Sequence, residues 1–331
     1  MPHNGAPRPP HTHHNNSLAA ATAANPWTNI SKQSETKTLS RTPTLDKQTG
    51  PLLSTETGVV PACIAKIVTK HDDLPHSSDV KEEEQQTAEL LGKLANAQAK
   101  WTLEELKSVH QHLRSFIENG VHLSFALMLL RLAVLKHPRC ETPNTEQCDS
   151  TRLVAELLLE EKLSLANQSL AFCVLSNAVG SNNNIPSWLK SDGKETDFFL
   201  QLIDVGLRKI DCTIDGSTTT AHVSLRQSAA AFLYNVTRRL AEGEGDGINE
   251  LSEASVSVLI GTLENIRDEQ DATTLKRRYL CVGQLLRSKD FGQTAVSLVR
   301  DLGIVDGKIY HSNINDDTES LAKEVTSLLN A

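Results

Sequence analysis

The sequence predicts an all-α fold, and three features of its composition and patterning indicate this class. Hydrophobic residues make up 39% of the 331 positions, and most of them are Leu, Ala and Val. There are only 3 Trp, 3 Tyr and 7 Phe. Leu and Ala favour helices, whereas strand-rich sandwiches and barrels draw on aromatic and β-branched residues. Apolar residues also recur at steps of three and four positions, and no stretch keeps the period-two alternation of a strand.

Residues 1–58 differ in composition from the rest of the chain. They contain seven of the 12 Pro and four of the 12 His, with runs of Ser, Thr and Asn. Such a segment buries too little apolar surface to offset the entropy lost on ordering. We therefore predict a disordered tail or linker, whose removal leaves stability unchanged, followed by one domain over 59–331. His11, His13 and His14 are metal-ligand types, but without further ligands the pattern is interpreted as incidental.

Three helices are predicted near the start of the domain. Residues 80–97 open with a Glu-rich turn, which suits a helix N-terminus, and carry Leu and Ala on one face. Residues 101–118 begin at Thr102 with the Thr-x-x-Glu pattern of a capping box. Residues 121–136 are apolar on nearly every side, which predicts burial, and they stop before Pro138 because proline cannot continue a helix.

Eight further helices follow, separated by polar segments. The longest breaks are a Ser- and Asn-rich insert over 181–194 and a Gly- and acid-rich loop over 242–247. Apolar residues keep the three- and four-residue steps of a helix face, as between Leu225 and Leu240. The predicted spans are 151–161, 165–180, 197–210, 223–241, 252–267, 272–287, 292–302 and 318–329.

Eleven helices of this kind cannot all surround one small bundle core. Helices buried on most sides are flanked by amphipathic ones, which is typical of an armadillo- or HEAT-like α-solenoid, in which each unit packs on its neighbours. We therefore predict this fold class. Solenoids present a long concave surface, and their usual work is to bind an extended segment of a partner.

Charge and cysteine content exclude several classes of protein. The chain has 33 Lys and Arg against 41 Asp and Glu, a net charge of −8, which argues against a general nucleic-acid binder. No apolar run approaches the roughly 18 residues of a membrane span, and Met1 does not begin a secretory signal. The 6 Cys lack zinc-site and disulfide-framework spacing. We expect a cytoplasmic or nuclear protein without metal, cofactor, membrane or nucleic-acid partner.

Five segments, in order, resemble the PUL domain of the phospholipase-A-activating-protein family of ubiquitin-linked adaptors. Each segment alone is a common Leu- and Ala-rich pattern, but five in the family's order are fairly specific. The resemblance covers roughly residues 59–331. The segments are LLRLAVLKHP at 129–138, ANQSLAFCVLSN at 166–177, AAAFLYN at 229–235, RRYLCVG at 277–283 and AVSLVRDLG at 295–303.

The resemblance implies a non-catalytic interaction module of the ubiquitin-proteasome pathway. Its partly basic groove would bind the C-terminal tail of the valosin-containing AAA ATPase, with ubiquitin or ubiquitinated clients reached indirectly. The positions that match the family's two binding arginines are Arg131 and Arg277, and Lys276 and Arg278 extend the basic patch. Cys173 stands where the family has a further arginine, so this chain lacks one groove charge.

The residues themselves leave two interpretations of these arginines. Arg131 is the one charge between residues 125 and 135, and burying it is costly unless it is paired with a carboxylate or faces a groove. The run of Lys276, Arg277 and Arg278 is usually a solvated face, and the last two point about 100° apart on a helix. In an acidic domain, a basic patch favours an anionic peptide.

Two other functions remain as alternatives. One is a generic armadillo scaffold for a different peptide partner. The other, more remote, is a fragment of a PUL-linked cysteine isopeptidase, which would need a thiolate activated by an imidazole. Cys63 with His71 or His110 would be the candidates, but no catalytic motif surrounds them. We therefore expect no enzymatic activity.

Overall fold

The computed structural model describes most of the chain beyond residue 41. Outside the described residues lie 1–41, with His11, His13 and His14, as well as His71, most of the 181–194 insert and the loop after Glu242. The described residues are 42–48, 50–68, 78–96, 98–120, 122–136, 145–181, 188, 194–212, 220–242, 248–264, 266–301 and 315–330.

The described residues form α-helices and one short 3-10 turn, Lys93–Ala95, and they contain no β-strand. The predicted all-α class is therefore confirmed. The helices are α1 (Pro43–Lys47), α2 (Val60–Val68), α3 (Ser78–Gly92), α4 (Leu103–Glu118), α5 (Leu123–Ala133), α6 (Thr145–Leu159), α7 (Leu165–Gly180), α8 (Lys194–Ile210), α9 (Thr220–Glu242), α10 (Ile248–Leu263), α11 (Ala272–Arg287), α12 (Gly292–Asp301) and α13 (Asp316–Asn330).

Side chains that satisfy free backbone N–H groups mark the start of several helices. The capping box predicted for α4 is present: Thr102 Oγ accepts from Glu105 N at 3.2 Å, and Glu105 Oε2 accepts from Thr102 N at 2.9 Å. Asp271 caps α11 by accepting from Thr274 N at 2.7 Å. These caps place α4 and α11, both of which pack near the candidate site.

From α4 onward the helices contact one another in pairs and in two series. The pairs are α4 with α5, α6 with α7, α8 with α9, α10 with α11 and α12 with α13. The second helices of the pairs contact each other in order, and so do the first helices. We call α5, α7, α9, α11 and α13 the odd series. Its members are the more buried, and the Phe172 and Phe232 rings, 5.7 Å apart, join α7 to α9 in the shared core.

Residues 42–58, hereafter the strap, belong to the folded part of the protein. Its residue 49 is not described. The compact unit begins at Arg41, and α1 packs on α11 and α13 with Leu45 fully buried. The predicted boundary between residues 58 and 59 is therefore too late. The Pro- and Thr-rich strap lacks an apolar pattern of its own because its binding depends mainly on its main chain.

Within the 181–194 insert the structure describes residues 181, 188 and 194, and the middle one lies in the core. Trp188 is fully buried, and its indole N–H donates to Thr151 Oγ at 3.5 Å. None of the described helices is both long and apolar enough to cross a bilayer.

Candidate functional site

The strap crosses the odd series from α13 to α5, and its first part is anchored by α1. Glu324 on α13 accepts hydrogen bonds from Thr44 N at 2.7 Å and Leu45 N at 2.9 Å, so a carboxylate sits at the N-terminus of α1. Asp46 forms a 2.7 Å ion pair with Arg287 on α11. Leu45 packs where Gly283 has no side chain, since a Cβ there would lie 2.5 Å from the leucine.

Two buried asparagines hold the next part of the strap by its main chain. Asn235 on α9 accepts from Leu52 N and donates to Leu52 O, both at 2.9 Å. Asn177 on α7 does the same with Ser54, at 2.7 and 2.9 Å. The strap residues are two positions apart, which is the repeat of an extended chain. Because the bonds reach backbone groups, this arrangement holds an extended peptide whatever its side chains.

Tyr234 and Gly180 also contact the strap, between residues 48 and 53. The Tyr234 hydroxyl donates to Gln48 O at 2.9 Å, and burial raises the pKa of this phenol to about 12. At Gly180 a Cβ would lie 2.9 Å from the side chains of Pro51 and Leu53. The strap can approach α7 so closely because that position has no side chain.

Arg131 on α5 holds the far end of the strap. Its guanidinium donates to Ser54 Oγ and, at 2.8 Å, to Glu56 O. No described carboxylate forms an ion pair with it; the described ion pairs involve other arginines, such as Arg226 and Arg287. Arg131 is 5% exposed, so in this structure neutral groups of the strap, not a described carboxylate, satisfy its guanidinium.

A cavity of about 590 Å³ lies between the strap and helices of the odd series, and it contains both arginines singled out by the sequence. Hydroxyl groups from α7, α9 and the strap line much of the rest. Arg131 and Arg277, 146 positions apart, thus meet at one site. The lining residues are Leu52, Leu53, Ser54, Thr55, Glu56, Val59, Met128, Arg131, Ser169, Leu170, Cys173, Ser176, Ser224, Gln227, Ser228, Ala231 and Arg277.

Arg277 is the less satisfied of the two arginines. Its guanidinium donates one hydrogen bond to the described residues, to Gln227 O on α9, and no described carboxylate pairs with it. Burial lowers the pKa of Arg277, an effect that the nearby Cys173 and Asp271 oppose. A half-buried guanidinium that makes one hydrogen bond to the described residues favours a bound anion.

Cys173 lies in the same cavity as a neutral thiol. Burial raises its pKa, and the Ser54 hydroxyl and the two arginines oppose that rise. Cys63 is also buried, with its pKa raised chiefly by burial, and its thiol lies 3.6 Å from Met128 Sδ. His110 is fully buried on Ser150, 2.7 Å from its Oγ. The structure does not bring Cys63 and His110 together as a described pair.

The other two predicted basic residues, Lys276 and Arg278, lie in different parts of the structure. Lys276 lines a smaller cavity of about 320 Å³ beside Arg277 and lies 3.9 Å from Asp317. Arg278 is 1% exposed and points away from the groove. It pairs with Asp211 and donates to Ile210 O at 3.0 Å and Glu264 O at 2.8 Å. Its predicted role in binding a partner is therefore corrected to an internal one, capping the ends of α8 and α10.

Sequence reasoning did not identify Glu324 or the two asparagines that hold the strap by its main chain, Asn177 and Asn235, which we call the main-chain clamps. Asn177 and Asn235 end two of the segments that carry the family resemblance, yet they were not assigned a role. Each lies in a buried, largely apolar stretch of its helix, where an amide needs a partner, and that was the available signal. The described residues contain no cluster of His, Cys, Asp or Glu able to hold a metal ion.

Comparison with known proteins adds no relative. No family model matches the chain, and neither the curated proteins nor the solved structures give a match.

Proposed function

We propose that this protein is a PUL-like adaptor that binds the C-terminal tail of the valosin-containing AAA ATPase. Its fold would be an armadillo- or HEAT-like α-solenoid, which the paired helices and their two contact series support. The role is non-catalytic and belongs to ubiquitin-dependent protein turnover in the cytoplasm or nucleus. Ubiquitinated clients would be reached through the ATPase.

One observation carries the proposal: Arg131 and Arg277 line one cavity, and neither forms an ion pair with a described carboxylate. Planar guanidinium groups bind carboxylates through two parallel hydrogen bonds, and partial burial strengthens such contacts. The cavity volume lies within the about 300–1,000 Å³ range of ligand sites. An acidic peptide with a free C-terminal carboxylate suits this chemistry.

The strap supports the peptide part of the proposal. Asn177 and Asn235 already bind an extended chain on the same face of the odd series. The surface thus has main-chain recognition next to a positively charged cavity. An ATPase tail would bind through both features: its backbone would hydrogen-bond to the asparagines, and its carboxylates would pair with the arginines.

The main-chain clamps also favour the second candidate, a scaffold for another peptide. Among the described strap residues, Asn177 and Asn235 hydrogen-bond only to main-chain groups, and such bonds do not select a sequence. Selectivity then depends on Arg131, Arg277 and the hydroxyl groups of the cavity. The same binding experiment distinguishes the two candidates.

The test is a fluorescence-anisotropy titration of the full chain with the last ten or so residues of the host's ATPase. A scrambled peptide, a C-terminally amidated peptide and two salt concentrations serve as controls. Arg277→Met is expected to weaken binding about tenfold or more, because it removes a charge-assisted contact. Arg114→Met, which removes an exposed arginine paired with Glu118 on α4, is the matched control and should bind normally.

Either of two results would contradict the ATPase assignment. Equal binding of the scrambled peptide would favour the generic scaffold. Loss of binding in Arg114→Met to the same degree as in Arg277→Met would show that general charge, not this cavity, drives association.

A further inference from the structure

We propose that residues 50–57 of the strap are an internal ligand that lifts away when an acidic, extended peptide binds the groove. This inference rests on the proposed function and adds its regulation. It also defines the ligand: its main chain pairs with Asn177 and Asn235, and a carboxylate takes the place on Arg131 now held by Ser54.

The contacts of residues 50–57 are those of a bound peptide rather than of a core element. Their main chain carries the hydrogen bonds, including a further one of 3.0 Å from Ser176 Oγ to Leu52 O. None of these residues is fully buried; Leu52 is half-buried and Leu53 is 39% exposed. Little apolar surface is therefore lost when the segment leaves.

The segment is tethered at both ends by better-buried elements. On one side Leu45 fixes α1 in the core, and on the other Val60 and Cys63 of α2 are buried. The intervening residues can leave the helices as a loop without unfolding either anchor. A tethered segment has a high effective concentration, so it competes strongly with a free peptide.

The segment and the proposed ligand compete for one arginine. Arg131 now donates to a neutral hydroxyl and a neutral carbonyl. Replacing these acceptors with a carboxylate would give the guanidinium an acceptor of opposite charge, which it can bind through two parallel hydrogen bonds. If residues 50–57 left the helices, the surface formed by Asn177 and Asn235 would also become continuous with the cavity that Arg277 lines. An anionic peptide therefore gains contacts that the strap itself does not make.

Two proline variants of the strap test this. Ser54→Pro removes the N–H that Asn177 binds and the hydroxyl that Arg131 binds. Gly58→Pro is the matched control, since Gly58 is exposed, does not line the cavity, has open space around a Cβ, and its N–H bonds no described residue. Ser54→Pro is expected to tighten binding of the ATPase tail peptide about tenfold, because more of the protein is then in the competent state. Gly58→Pro should bind as the unchanged protein does.

Hydrogen exchange on the unchanged full chain gives a second readout. Adding the tail peptide should speed exchange of the Leu52 and Ser54 amides while the amides of α7 stay protected. If the peptide binds and these two amides keep their protection, or if Ser54→Pro binds no tighter than Gly58→Pro, the strap is a fixed part of the site and the inference fails, while the proposed function stands. If no variant binds the peptide, the proposed function itself fails.

Discussion

Asn235 and Leu52 lie 183 positions apart in the chain and exchange two hydrogen bonds of 2.9 Å each. The amide of Asn235 also donates to Ser176 O at 2.8 Å, so it joins α7, α9 and the strap. The side chain is fully buried, and this set of partners satisfies it. The strap is thus held by polar groups that would otherwise be unsatisfied inside the groove.

We expect Leu45→Ala to lower the free energy of unfolding by about 2–3 kcal/mol. Leu45 is fully buried against Gly283, and truncating a buried leucine leaves a cavity. Leu53→Ala in the same strap should change it by less than about 0.5 kcal/mol, because Leu53 is 39% exposed. Urea denaturation of the full-length variants measures both. Equal effects would mean that the strap does not pack as described.

Arg278→Met and Arg277→Met should behave in opposite ways although the two residues are neighbours. Arg278 is buried with Asp211 and Glu269, and removing one member of such a cluster costs about 3–5 kcal/mol. Arg277 lines the cavity with no ion pair among the described residues, so its loss should spare stability and weaken the binding of an acidic peptide.

Thermal unfolding and peptide titration of both variants check this contrast. A large stability loss in Arg277→Met, together with unchanged melting of Arg278→Met, would reverse the two roles assigned here. The helical signal at 222 nm of both variants before melting is the control for gross misfolding.

The sequence predicted the helices from α3 onward because their signals are local, but it predicted neither α1 nor α2. The capping box at Thr102 and the apolar steps of α9 depend only on neighbouring residues. It also placed Arg131 and Arg277 in one groove, though only through the family resemblance. The strap was missed because its partners, Asn177 and Asn235, are more than 120 positions away and bind main chain, which leaves no pattern in the strap. Arg278 was misassigned because charge alone does not show which way a helical residue points.

Stability is expected to fall above pH 10, partly through Tyr234. Burial raises the pKa of Tyr234 from 10.0 to about 12. Between these values the unfolded chain loses the phenol proton while the folded protein keeps it, so stability falls as the pH rises. The contribution is fully present below pH 10. Tyr234→Phe should therefore show a shallower loss of melting temperature than the unchanged protein between pH 10 and 11.

The control for this prediction is a comparison of the two proteins below pH 10. At pH 8 both proteins should differ only by the hydrogen bond from Tyr234 to Gln48 O, a constant offset of about 1 kcal/mol. If the melting temperatures of the two proteins instead fell in parallel over the whole pH range, the fold would not keep the Tyr234 phenol protonated.

Cys173→Arg should strengthen the binding of an acidic tail peptide. Cys173 lines the cavity that contains Arg131 and Arg277, at the position where the resembling family has an arginine. A third guanidinium raises the positive charge of the site, so we expect about tenfold tighter binding at low salt and a steeper loss of affinity as salt is added.

Cys173→Ser separates the charge effect from the loss of the thiol. A hydroxyl is close in size to the thiol and leaves the cavity charge unchanged, so its affinity and salt dependence should match those of the unchanged protein. If Cys173→Arg instead weakens binding while its melting temperature is kept, the added side chain has filled space that the peptide uses. The peptide would then lie deep between α7 and the strap, in contact with position 173, rather than at the mouth of the cavity.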